Sequence, residues 1–371
     1  MSRASGTAGP ARVPGGLSPP WRVPLLVLGF VGLVVGSGAG LARLGWTMPD
    51  AAAAAAGLHG PLMICGFFGV VISLERAVAI GRLWAYLGAL LAGLGTAAAL
   101  HDALAATPWL WLAASVLLLA ASLDIVRRQR ALFTATMALG AACWCVGNAL
   151  WAAGWPVHRV AAWWLAFLIL TIAGERLELS RLMPPSSTAR AVFAALLVLI
   201  LAGLLGGHRT EGSIAFGAGL LGLAAWLFRQ DIARRTVRQR GLTRFIAVCL
   251  LSGYVWLAVG GALIVAAGAP APGTPAYDAA LHALALGFVF SMVFGHAPII
   301  FPAVLRVAVP YHAYFYAPLV LLHASLLVRL GGDALASSAA LRAGGALHAV
   351  ALAAFIAGTA FAAWRGRRTA K

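Results

Sequence analysis

The sequence predicts an all-α, polytopic membrane protein with about twelve transmembrane helices. Of its 371 residues, 62% are hydrophobic and only 10% are charged, whereas charged residues make up about 25% of soluble domains. The apolar stretches are long enough to cross a hydrocarbon core of about 30 Å, and the one between Arg22 and Arg43 contains no charge. A β-barrel would instead show short strands of alternating polarity.

Hydropathy divides the chain into twelve predicted spans, separated by short connections. They cover residues 23–43, 56–78, 83–104, 107–126, 131–154, 157–177, 190–206, 212–228, 244–268, 276–305, 310–330 and 338–363.

The placement of the basic residues is a third observation in favour of twelve spans. The net charge is +17, and with this span count 22 of the 27 Lys and Arg residues fall on one side and 5 on the other. The positive-inside rule then puts both termini in the cytoplasm. The basic residues are expected to face the headgroups of the lipid bilayer, so nucleic acid is not an expected partner. We predict a multi-pass protein of the inner (plasma) membrane.

The connections are too short to hold a soluble domain, so the sequence predicts one membrane domain over residues 21–364. Residues 1–20 are rich in Gly, Pro and Ser and are predicted to be a disordered cytoplasmic tail. Residues 365–371 are predicted to be a basic cytoplasmic tail.

Two histidines lie at matched, shallow depth below the outer surface, on different predicted spans. His59 lies a few residues into the second span and His282 about six residues into the tenth, and both spans run inward. Ionisable residues inside a membrane are expensive and are usually functional. Two imidazoles at one depth could ligate a haem iron from opposite sides, with Gly60, Gly66 and Gly287 among the small residues that would make room for the porphyrin. The alternative is that each histidine is buried and bonded to a neighbouring carbonyl.

Four further histidines are weaker candidates for a metal site. His296 follows His282 by four helical turns, on the same side of the helix but about 21 Å deeper. It could form an inner site with His312, or both could be interfacial residues around a Pro-rich turn. His323 and His348, in the last two spans, could form a metal site, contribute to a proton path or bond each other.

Two Glu-Arg pairs end predicted spans near the cytoplasmic face. They are Glu75–Arg76 in the second span and Glu175–Arg176 in the sixth. They could be interfacial anchors that pair across the two helices, with the arginines reaching the headgroups. They could also take up protons from the cytoplasm.

The segments "HGPLMICGFFGVVIS" and "LHALALGFVFSMVFGH" in the second and tenth spans resemble the haem-containing membrane proteins of the NnrS family. More distantly, they resemble the core subunit of the haem-copper oxidases. Both groups have about twelve helices and haem-ligating histidines in the second and tenth. The resemblance implies haem b, or copper or another metal, with His59 and His282 as ligands. It also implies a role in the nitric-oxide or nitrosative-stress response or in respiratory electron transfer, with a redox partner or respiratory complex.

The sequence departs from these families at informative positions. Gly60 and Pro61 follow His59, where NnrS-like proteins tend to carry a second histidine. The copper-binding trio of the oxidases is missing, since the sixth and seventh spans contain only His158. An oxygen-reducing centre is therefore not expected, and the sequence leaves open whether the protein is an enzyme. The alternative function is a cofactor-free transporter or permease, in which the carboxylates and central histidines line a polar path.

Overall fold

The computed structural model describes residues 16–101, 103–180, 184–207 and 209–369, and these residues form helices and connections without a strand. Twelve helices are long and apolar enough to cross a membrane. In chain order, α1 to α12 are Pro19–Arg43, Ala56–Ile80, Leu83–Leu100, Thr107–Arg128, Leu132–Ala152, Val157–Leu179, Ser187–Gly206, Thr210–Gln230, Gly241–Ala267, Pro275–Leu305, Ala313–Ala334 and Ser338–Thr369.

The helices confirm the predicted fold class, and each predicted span falls on one of them. Most ends differ from the predicted ones by a few residues. The largest changes concern the termini: α1 begins at Pro19, inside the predicted tail, and α12 continues to Thr369, so residues 365–369 are helical. Residues 1–15 of the predicted N-terminal tail lie outside the described residues. The protein is therefore a multi-pass helical membrane protein.

Helices α2, α6 and α10 form the centre of the bundle, since each contacts the other two. Helices α6 and α10 are the most completely buried of the twelve. Sequence neighbours such as α5 and α6, or α11 and α12, pack side by side as helical hairpins. The two helices with depth-matched histidines, α2 and α10, thus meet in the interior. We call the end of the bundle at which they begin the outer end, following the charge distribution.

Both of these helices contain a π-helical segment just after the candidate histidine. In α2 it spans Leu62–Phe68, after His59, and in α10 it spans Ala283–Phe290, after His282. The i→i+5 hydrogen bonds of a π-helix give wider turns than those of an α-helix, and such segments are frequent at functional sites. The expectation that His282 and His296 share one side of the helix assumed a regular α-helix, and a π-helical segment lies between them.

The buried side chain of Asn148 joins four helices through three hydrogen bonds. The side-chain amide of Asn148 on α5 donates to the carbonyl oxygen of Trp111 on α4, at 2.9 Å. Its carbonyl oxygen accepts from the indole of Trp164 on α6, at 3.0 Å, and from the Cys65 thiol on α2, at 3.4 Å. Such interhelical hydrogen bonds stabilise membrane bundles modestly, by about 0.6–2 kcal/mol each.

Candidate functional site

Three histidines come together near the outer end of the bundle: His59 on α2, His282 on α10 and His348 on α12. The rings of His282 and His348 have centroids 6.2 Å apart and planes only 13° from parallel. His59 lies within electrostatic range of both. We call these three residues the outer imidazole cluster. It adds His348, a weaker candidate for a metal site in the sequence, to the depth-matched pair His59 and His282.

The Nδ1 atoms of His59 and His282 are both held by backbone carbonyls. His59 Nδ1 lies 2.7 Å from the Gly36 oxygen on α1, and His282 Nδ1 lies 2.8 Å from the Asp278 oxygen one turn back on α10. A carbonyl oxygen can only accept, so each Nδ1 must carry the hydrogen. In a neutral ring, Nε2 then presents a lone pair. This orientation is the one usually found in metal-ligating histidines.

His348 has the same tautomer, fixed by a serine. Its Nδ1 lies 2.6 Å from the hydroxyl oxygen of Ser325 on α11. In the arrangement where the single hydroxyl hydrogen of Ser325 is donated to the Leu322 carbonyl, at 2.8 Å, the imidazole is the donor to Ser325. Nε2 of His348 is therefore a lone pair as well.

The lone pair of His348 has no partner among the described residues. The side chain is only 6% exposed, and Nε2 is fully buried without a hydrogen bond. A buried polar atom without a partner costs about 1–3 kcal/mol. Such an atom calls for an explanation, and an unseen ligand is one.

An ion pair between α10 and the neighbouring α11 supports His282. Arg329 on α11 makes a two-point contact with the Asp278 carboxylate, at 2.7 and 2.9 Å. The arginine side chain is 8% exposed and the aspartate 32%. The Asp278 carboxylate also lies 3.3 Å from His282 Nδ1, and Asp333 lies beside the pair. The outer imidazole cluster is thus flanked by two carboxyl groups and by two guanidinium groups, those of Arg329 and of Arg43, which acts on His59.

The cluster is not a fully assembled metal site. Within the described part of the chain, no three His, Cys, Asp or Glu side chains are arranged to hold one ion. The donor set nevertheless suits a transition metal, because imidazole nitrogens are ligands for Zn, Cu, Fe and Ni. An ion would require small rotations of the rings.

The glycines expected to make room for a porphyrin are mostly filled by neighbouring helices. A Cβ on Gly66 would lie 2.7 Å from Thr96 Oγ1, and one on Gly69 would lie 2.6 Å from the Trp144 ring. A Cβ on Gly287 would overlap Trp256, and only Gly60 has open space beside it. Three of these four glycines therefore serve helix packing. They do not provide space for a porphyrin ring beside His59 and His282.

His323 lies on the same helix as Ser325, but its two ring nitrogens are both bonded. Nδ1 accepts from the Trp256 indole at 2.9 Å, so Nε2 carries the hydrogen and donates to Ser252, at 3.0 Å. This histidine bridges α9 and α11. It has no free lone pair for a metal, and it does not bond His348.

The two inner histidines have separate partners. His296 donates from Nδ1 to the Met292 carbonyl and accepts at Nε2 from Arg176 on α6, both at 2.7 Å. His312 is exposed and accepts from the backbone N–H of Tyr314, at 3.3 Å. With its Nε2 bonded to an arginine, His296 is not disposed to bind a metal together with His312.

The glutamates of the two Glu-Arg pairs reach a small inner cavity of about 110 Å³ between α1, α2, α6, α10 and α12. It is lined by Glu75, Glu175 and His296 among mostly apolar residues. The arginines are bonded elsewhere: Arg176 contacts His296, and Arg76 donates to the Met137 sulfur, at 3.1 Å. Across the described residues, no salt bridge joins these glutamates to these arginines. The two carboxylates lie within electrostatic range of each other.

The sequence singled out His59 and His282 but did not identify His348 as a neighbour of His282. A usable signal existed, since Ser325 and His348 are both polar residues inside apolar spans. The π-helical segments had no recognisable signal, because their residues read as ordinary apolar helix.

The fold and the buried imidazoles define a multi-pass helical membrane protein with a candidate metal-binding site. The chain belongs to a family described as a domain of unknown function (DUF8744), whose model matches residues 22–364. No curated protein and no solved structure matches the chain.

Proposed function

We propose that this chain is an integral membrane protein of the plasma (inner) membrane that binds a transition metal near its outer end. The metal is held by His59 and His282 as an ion or, if the packed helices part to admit a porphyrin, as the iron of a haem. The observation that carries the proposal is the common tautomer of the outer imidazole cluster. Each ring donates from Nδ1 to the protein and keeps an Nε2 lone pair for a ligand.

The resemblance to NnrS proteins supports the same two ligands and gives the proposal a biological setting. A metal at this site would supply a redox or gas-binding centre. In that setting the protein serves the nitric-oxide or nitrosative-stress response, or electron transfer with a respiratory partner.

The test is an absorption spectrum and a metal analysis of detergent-purified protein from haem-replete, metal-supplemented cells. A Soret band with reducible α and β bands would identify haem, and a stoichiometric metal without these bands would identify an ion. His59→Ala and His282→Ala should each lower the bound amount, because each removes a ligand. His312→Ala is the control, since His312 is exposed and bonded only locally. A colourless, metal-free wild-type protein would refute the proposal.

A second candidate function, a transporter without a cofactor, is favoured by the inner cavity. Glu75 and Glu175 reach this cavity without a salt bridge to Arg76 or Arg176, among the residues described, so they are available to carry protons. Proton flux into proteoliposomes, followed with a pH-sensitive dye, would test this. The double variant Glu75→Gln, Glu175→Gln should abolish the flux and Glu178→Gln should not. Absence of any flux above that of empty vesicles would exclude this candidate.

A further inference from the structure

We propose that His348 is a ligand that acts together with His282, so that the bound metal lies between α10 and α12. The site would take a late first-row transition-metal ion of the class that prefers imidazole, such as zinc or copper. This inference rests on the proposed function and goes beyond it, because it adds a ligand from a helix that the resemblance does not implicate.

The first argument is that the Nε2 atoms of His282 and His348 lack a hydrogen-bond donor among the described residues. His282 and His348 both use Nδ1 as the donor, to the Asp278 carbonyl and the Ser325 hydroxyl. Both Nε2 atoms are therefore acceptors, and two acceptors cannot satisfy each other. Among the described residues no group donates to His348 Nε2, which is buried. A cation between the rings, either a metal ion or a proton, would satisfy both.

The second argument is the distance between the rings. Bonds from a metal to imidazole nitrogens are about 2.0–2.1 Å long. When both Nε2 atoms point at one ion, two such bonds span roughly the 6.2 Å between the ring centroids. The two nearly parallel rings would have to turn to reach that arrangement.

The third argument is the rigidity of the supporting groups. Ser325 is fully buried and is fixed by its own bond to the Leu322 carbonyl. Asp278 accepts the His282 hydrogen bond at its backbone carbonyl, and its carboxylate is held by two hydrogen bonds from Arg329. Groups that fix a ligand through its second nitrogen are typical of metal sites, and their loss usually costs about 10–100-fold in affinity.

The charged groups around the cluster are balanced in number. The carboxyl groups of Asp278 and Asp333 are matched by the guanidinium groups of Arg329 and Arg43, so a bound cation would not face a net positive charge. One Asp333 oxygen is buried without a hydrogen bond among the described residues.

Titration of the purified, full-length protein with Zn²⁺ and with Cu²⁺, after removal of bound metal, tests the inference. Wild type should bind one ion per chain, and His348→Gln and His282→Gln should each lose stoichiometric binding. Ser325→Ala keeps the ligand but removes its support, so binding should weaken by about 10–100-fold. His323→Gln is the matched control, because His323 lies on α11 near Ser325 and both of its ring nitrogens are hydrogen-bonded. The metal affinity of this variant should equal that of wild type.

The outcomes separate this inference from the proposed function. Wild-type affinity in a folded His348→Gln protein would overturn the role of His348 and leave His59 and His282 as the ligands. Should His348→Gln fail to fold, unchanged affinity in Ser325→Ala would overturn it instead. Absence of any metal or haem binding by wild type would refute both proposals.

Discussion

The imidazole rings of His282 and His348 lie 6.2 Å apart and nearly parallel, although one ring is near the start of α10 and the other is well inside α12. The contact is not a local one, since it depends on α12 packing against the interior of the bundle. Each ring is tied to the protein through Nδ1, and no described residue donates a hydrogen bond to either Nε2. This arrangement links the architecture to the proposed metal site, and it leads to four further predictions.

Two glycine substitutions should differ in their effects on stability. Gly287→Ala should destabilise the protein by about 1–3 kcal/mol, because the new methyl group would overlap Trp256 on α9. Gly60→Ala should change stability little: the new methyl group meets no other part of the protein within 4 Å, and the gain of about 0.5–1 kcal/mol from a smaller loss of backbone entropy is offset by Pro61, which disfavours a helical conformation for a preceding residue with a Cβ. Thermal unfolding in detergent measures both. Equal effects would show that Gly287 is not packed against Trp256.

Removal of Asp278 should damage the outer end of the bundle. The Asp278→Ala variant leaves the nearly buried Arg329 guanidinium without its two-point partner. Breaking a buried pair from one side costs about 3–5 kcal/mol, and the partial exposure of Asp278 favours the lower figure. The measurement is the unfolding free energy in detergent. Removing both partners, with Asp278→Ala and Arg329→Met, should recover part of the loss, and no recovery would argue against the pair.

Asn148→Ala should weaken the packing of α4, α5 and α6. It leaves the Trp164 indole N–H and the Trp111 carbonyl without their bonds. The expected loss is about 1–3 kcal/mol, the cost of unsatisfied buried groups. Thermal unfolding reports it, while metal content should stay at the wild-type level because Asn148 has no contact with the outer imidazole cluster. Parallel loss of metal would indicate that the two halves of the bundle are coupled.

His296→Ala should separate the inner region from the outer one. The change removes the acceptor of the buried Arg176 guanidinium, so stability should fall by about 1.5–3 kcal/mol, as for bonds to charged groups. Bound metal should be unaffected, since His296 lies several helical turns from His282 along α10. Metal analysis and thermal unfolding of one preparation give both results. Loss of metal with unchanged stability would instead make His296 a ligand.

The twelve spans were predictable because the signal is local. Each apolar stretch must satisfy its own backbone in lipid, so a helix follows from the run of side chains alone. Helices such as α6 at Val157–Leu179 and α10 at Pro275–Leu305 lie within two residues of their predicted ends. The ends at the termini were harder to predict, because a proline in the first turn, such as Pro19, and the basic residues after Trp364 do not prevent a helix from forming.

The candidate site was only half predictable. The depth of a residue below the surface follows from its position along a span, so His59 and His282 could be matched in depth from sequence alone. The rotation of each helix and the identity of its neighbours depend on packing. For that reason the sequence could not place His348 against His282, nor assign His296 to Arg176 and His323 to Trp256.

By itself, the sequence determined the class of protein, the number of spans, their expected orientation and the residues that are costly in lipid. These properties follow from hydropathy and charge, which add up along the chain. Only the tertiary structure decided which costly residues meet and which of their nitrogen atoms remain free. Those outcomes depend on distances of a few ångströms between helices that are far apart in sequence. They also depend on the π-helical segments that follow His59 in α2 and His282 in α10.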